Sequence, residues 1–115
     1  MKVYCNVNCY HGVFKKGEFY DVIDEYQNEP PFPKVKEYLI DNNQGEQRWG
    51  LIGACPYNFA KVTPLMFIAT FEQKENRGYE DIVIGIDNLE DLMDEINKYE
   101  RLSDSKFLYH KRFAD

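Results

Sequence analysis

Polar and apolar positions alternate from the first residues of the chain. Val3, Cys5 and Val7 fall on one side of an extended backbone, and Lys2, Tyr4, Asn6 and Asn8 on the other, so 2–8 reads as a strand with a buried face. His11-Gly12 and Lys15-Lys16-Gly17-Glu18 make two turns. The aromatic and β-branched run Phe19-Tyr20-Asp21-Val22-Ile23 then predicts a second strand. In Asn28-Glu29-Pro30-Pro31-Phe32-Pro33, three prolines remove backbone donors and fix φ, which leaves a stiff, exposed loop. A third strand, Val35 to Ile40, leads into Asp41-Asn42-Asn43-Gln44-Gly45, whose residues tolerate the positive φ of a hairpin turn. Arg48 to Ile52 is the returning strand, with the only tryptophan at Trp49. Pro56-Tyr57-Asn58-Phe59 reads as one tight helical turn and Lys61-Val62 as a short closing strand.

Pro64 marks a seam. Met66 to Phe71 is an apolar strand, Glu75-Asn76-Arg77-Gly78 a turn, and Ile82, Ile84 and Ile86 alternate down a further strand. Asn88 suits an N-cap, with Asp91 three residues on to reach back toward the open amides. Leu89, Leu92, Met93, Ile96 and Tyr99 then follow at helical spacing, predicting an amphipathic helix over 88–102. Ser103-Asp104-Ser105 ends it, and Lys106 to Phe113 is a last strand with Phe107, Tyr109 and Phe113 on the core side and His110 and Arg112 opposite. The fold class that follows is α+β: about five short, mostly antiparallel strands, then a β-β-α-β unit. The division is 1–63 and 64–115, packed together as one compact domain.

The chain has 115 residues, 43% hydrophobic and 16% aromatic, which suits a folded domain and excludes a disordered one. There is no apolar run of membrane-spanning length and no signal-peptide pattern at the N-terminus. Net charge is −6, which disfavours direct binding to nucleic acid. The acidity is concentrated: Glu80 to Glu100 alone carries −7 and the rest of the chain +1. On a continuous helix Glu90, Asp91, Asp94 and Glu95 would form two carboxylate rows beside the apolar stripe. Such rows keep a solvated face soluble, or imitate a phosphate backbone and dock on a basic surface. Lys106, His110, Lys111 and Arg112 form a small basic counterpart among aromatics.

Three cysteines, an odd number, point to a reducing cytoplasm. Cys5-x3-Cys9-x-His11 with Cys55 is an incomplete zinc set, so plain thiols are expected and no metal or cofactor is assigned. No nucleophile, base and orienting group stand in a recognisable pattern, and no glycine-rich phosphate loop is present; the chain reads as a non-enzyme. Seventeen Tyr and Phe exceed what a small core needs, and Tyr4, Tyr10, Tyr26, Phe32, Trp49 and Tyr57 are the candidates for an aromatic binding surface at one end of the barrel.

The opening Lys2-Val3-Tyr4-Cys5, the Lys16-Gly17-Glu18-Phe19-Tyr20-Asp21-Val22 segment, the hairpin from Tyr38 to Gly45 and the closing Tyr57-Asn58-Phe59-Ala60-Lys61-Val62 resemble a small SH3-like barrel encoded by bacteriophages and other mobile elements. The resemblance covers about half the chain; the proline-rich insertion and everything after Pro64 depart from it. It implies an accessory protein that binds and inhibits a host defence or nucleic-acid-handling protein, of the anti-CRISPR type, in the host cytoplasm. Glu90, Asp91, Asp94 and Glu95 would meet the basic surface of that partner, with Phe32 and Trp49 as apolar anchors. Two other readings compete. A nucleotide or other small anion could be sequestered by Arg48, His110, Lys111 and Arg112, or the chain could be a structural protein that assembles as a homodimer or larger oligomer.

Overall fold

The computed structural model describes residues 1–31, 35–53 and 57–113, arranged as two compact units, Met1–Val62 and Thr63–Asp115. The first is an open, curled, five-stranded antiparallel sheet, an SH3-like half-barrel, and the second a β-β-α-β unit with one helix; the fold class is α+β.

In the first unit β1 (Lys2–Cys5), β2 (Phe19–Gln27), β3 (Lys36–Asp41), β4 (Gln47–Gly50) and β5 (Phe59–Lys61) are ordered β4-β3-β2-β1-β5. The inward face expected of β1 is found: Val3 and Cys5 are fully buried. The strand stops at Cys5, however, so the alternation beyond it fails. Asn6 is buried rather than outward, held by Asn6 Nδ2 donating to the Tyr57 carbonyl at 3.2 Å. A β-bulge between Val22 and Asp24 divides β2. Its first half pairs with β1, and its second half pairs with β3 alone. Extra residues of this kind add local twist, which helps an open sheet to curl. The curl brings the ends of the order together: Gly53 N–H donates to the Phe59 carbonyl at 3.0 Å, and a Cβ on Gly50 would lie 3.4 Å from the Phe59 ring.

The core of this unit is Val3, Cys5, Phe14, Tyr20, Ile40 and Phe59. Phe14 meets Tyr10, Tyr20 and Phe59 edge to face, with centroids 5.7, 5.0 and 5.3 Å away. The β3–β4 turn is fixed by buried Asn42, whose Oδ1 accepts the amides of Gln44 and Glu46 while Nδ2 donates to the Val13 carbonyl. The helical turn expected at 56–59 is absent from its described part. Tyr57 has a φ of +58°, outside the right-handed helical region, and its side chain is core rather than binding surface.

In the second unit β6 (Leu65–Glu72), β7 (Tyr79–Ile86) and β8 (Lys106–Arg112) are ordered β7-β6-β8. Both outer strands run antiparallel to β6, so helix α1 (Leu92–Ser103) carries the chain from one edge to the other across β6. The helix packs on the face formed by Phe67, Ala69, Phe71, Ile82, Ile84 and Ile86; Phe71 and Tyr99 lie 4.6 Å apart. Tyr99 also donates to Glu80 at 2.7 Å.

Two expectations need correction. The capping box does not form. Asn88 makes no side-chain cap; Leu89–Asp91 is a 3-10 turn closed by Asp91 N–H donating to the Asn88 carbonyl, and the α-helix begins only at Leu92. The second correction concerns β8. Thr70 pairs with Tyr109 and Phe71 with Phe107, so Leu108 is an extra residue. This bulge moves Phe107 to the same face as His110 and Arg112, and leaves Tyr109 on the other face and exposed. The carboxylate of Glu100 accepts the Phe107 amide at the bulge.

Candidate interaction surface

Seven of the eight acids between Glu80 and Glu100 separate into two kinds. Glu80 accepts from Tyr99 and from Gln73 Nε2, Asp81 accepts the Thr70 hydroxyl at 2.7 Å, and Glu100 is tied to the β8 bulge. These carboxylates hold the second unit together. Glu90, Asp91, Asp94 and Glu95 meet no cation and no side-chain donor among the described residues. Glu90 and Asp91 sit in the 3-10 turn and Asp94 and Glu95 in the first α-helical turn, so the change of helix type interrupts the two straight rows expected for them. All four remain near the helix N-terminus, where the helix dipole offsets part of their mutual repulsion.

The apolar stripe is narrower than its spacing suggested. Leu92, Ile96 and Tyr99 are buried, whereas Leu89 is 60% and Met93 45% exposed. One helix on one sheet face buries only a limited arc; the 3-10 turn carries Leu89 off it, and Met93 falls on its flank. The exposed helix start therefore combines four uncompensated carboxylates with two apolar side chains. Sequence periodicity missed this surface because it assigns every apolar residue to the core; the acids at 90 and 91, just before the helix proper, were the available signal.

The bases proposed for an anion do not form one cluster on β8. His110 and Arg112 lie on the face of Phe67, and Lys111, paired with Ile68, lies on the opposite face. Arg112 packs over the Phe67 ring at 5.5 Å and donates to the Pro64 carbonyl; His110 stacks on Phe107 at 6.1 Å. Arg48, on β4, bonds Glu46 at 3.2 Å and the Gln47 carbonyl at 2.8 Å. Trp49 is exposed on the same strand, and Tyr10 donates to its carbonyl at 3.0 Å. Phe32 lies outside the described residues. Tyr26 is exposed on the outer half of β2, and Tyr4 is half-buried against Phe19 at 5.3 Å.

Cys5 and Cys9 are free thiols, and Cys55 lies outside the described residues. Among the described residues no group of three or more His, Cys, Asp or Glu is placed to hold a metal ion, and no helix is long and apolar enough to cross a membrane. Burial, reinforced by the neighbouring Cys9, pushes the Cys5 thiol up from 9.0 to about 12. The folded state thus keeps a proton that the unfolded chain releases near its ordinary value. This contribution to stability is present below pH 9.0 and is lost as pH rises toward about 12. Thermal midpoints measured from pH 8 to 11 should fall more steeply for the parent protein than for Cys5→Ala; parallel curves would refute this.

Comparison with protein families, with curated proteins and with solved structures gave no match. The functional reading rests on the geometry.

Proposed function

We propose that this chain is an accessory protein of a phage or mobile element that binds and inhibits a host nucleic-acid-handling or defence protein, of the anti-CRISPR type. It would act in the host cytoplasm by binding, without catalysis. The observation that carries the reading is the helix start: Glu90, Asp91, Asp94 and Glu95 have no internal partner among the described residues, while Leu89 and Met93 stand exposed beside them. Charge arranged this way steers encounter with a positive surface, and apolar neighbours slow dissociation once it is reached. A surface that normally grips phosphates is basic and locally apolar, which fits both features. The mobile-element origin is supported by the resemblance of the first half of the chain to small phage-encoded barrels.

The test is a pull-down of tagged protein from bacterial lysate with a co-expressed panel of defence complexes, washed at low and high salt. A stoichiometric partner released at high salt is expected. Glu90→Gln, Asp91→Asn, Asp94→Asn and Glu95→Gln together should weaken its binding on the order of 100-fold, with helical circular dichroism unchanged. Unchanged affinity in that variant would overturn the reading.

A further inference from the structure

The order β4-β3-β2-β1-β5 leaves β4 with a partner on one side only. Its free edge can be read from the ladder. Asn42 N–H donates to the Glu46 carbonyl, and pairing then continues through Asp41–Gln47, Ile40–Arg48, Leu39–Trp49 and Tyr38–Gly50. Bonded and non-bonded pairs alternate in an antiparallel ladder, so Arg48 and Gly50 bond inward to β3. The backbone groups of Gln47 and Trp49 point out. Their carbonyls are already engaged, by the Arg48 guanidinium and the Tyr10 hydroxyl. Their N–H groups have no partner among the described residues.

The outer half of β2 also has an open edge, but that one is blocked. There the amide of Glu25 is taken by the Asp24 carboxylate at 2.8 Å, and two adjacent acids repel an incoming strand. Among the described residues the β4 edge is capped only at its carbonyls, and no side chain takes the outward N–H groups of Gln47 and Trp49. Beside its edge lies a cleft of about 180 Å³ lined by Tyr10, Glu37, Trp49, Leu51 and Phe59. Glu37 has no ion pair among the described residues, in contrast to Arg48.

We infer that β4 binds an extended segment of a partner protein by strand addition. The segment's carbonyls accept the outward N–H groups of Gln47 and Trp49. One apolar side chain fills the cleft between Tyr10, Trp49 and Phe59, and a lysine or arginine on the same face of the segment meets Glu37. Backbone pairing gives such a contact its affinity, while the pocket and the charge select the sequence. This site gives Trp49 a defined ligand chemistry. It is independent of the acidic helix, so the variant neutralised at 90, 91, 94 and 95 should bind the segment as the parent does.

Trp49 is the only tryptophan and reports directly on its own edge. The probe is acetyl-Thr-Val-Thr-Lys-Thr-Val-Thr-Lys-amide, which places valine and lysine on one face of a strand. Titration should give a saturable blue shift of the emission. A methyl group on an amide that faces β4 would hold the two strands apart, so N-methylating that alternate set should weaken binding at least tenfold, and N-methylating the set that faces away should change it less than threefold. Glu37→Gln should weaken the lysine peptide severalfold and leave a threonine-for-lysine version unaffected. The inference is overturned by no saturable shift, by equal effects of the two N-methylated sets, or by a blue shift that grows with protein concentration alone, which would assign the edge to a second copy of the chain.

Discussion

Phe14→Ala is expected to remove most of the stability of the first unit. Phe14 is fully buried and meets Tyr10, Tyr20 and Phe59 edge to face, so truncation loses its burial, leaves a cavity and removes three ring contacts at once. Substitutions of this kind cost about 3–5 kcal/mol, against a total of about 5–15 kcal/mol for a typical domain. Small β-rich units hold little in reserve, so the variant should unfold at far lower urea than the parent when followed by Trp49 emission. Phe14→Leu keeps much of the volume and should cost less. Phe19→Ala is the informative contrast, since Phe19 is 41% exposed on β2 and lies against the Tyr4 ring outside the core. That change should cost below about 1 kcal/mol. Equal losses at Phe14 and Phe19 would contradict this core.

The importance of Phe14 was not legible in the chain, although most strands were. Period-two alternation located β1 and β7, because in each the buried face recurs at every second residue, and a run of aromatic and β-branched residues located the start of β2. Phe14 lies between two turns and belongs to no periodic run. It reaches the core because positive-φ residues at Tyr10, His11 and Gly12 fold the segment back, and Cys9 pairs with Phe14 in an isolated bridge. Bulges were equally invisible. One extra residue at Leu108 reverses the face of everything before it, and only pairing with β6 reveals this. The acids of 90–95 were legible as charge. Their lack of internal partners was not, because Glu80, Asp81 and Glu100 look the same in sequence and are bound to neighbours in the fold.

On the helix, Ile96→Ala and Met93→Ala should part company although the sequence puts both residues on one stripe. Ile96 is fully buried against the sheet, and its truncation should cost about 2–5 kcal/mol, lowering the thermal midpoint and the hydrogen-exchange protection of β6 and β7. Met93 is 45% exposed beside Asp94, and losing it should change stability by no more than about 0.5 kcal/mol. Binding should respond in the opposite sense. If the carboxylates steer a basic partner to the helix start, Met93 and Leu89 are the apolar contacts that form once it docks. Truncating an anchor of this kind should weaken the complex roughly tenfold through faster dissociation. Met93→Ala therefore separates the two roles a helix residue can have. A variant as unstable as Ile96→Ala would place Met93 in the core and close that face to a partner, whereas a stable variant with weakened binding would make it part of the docking surface.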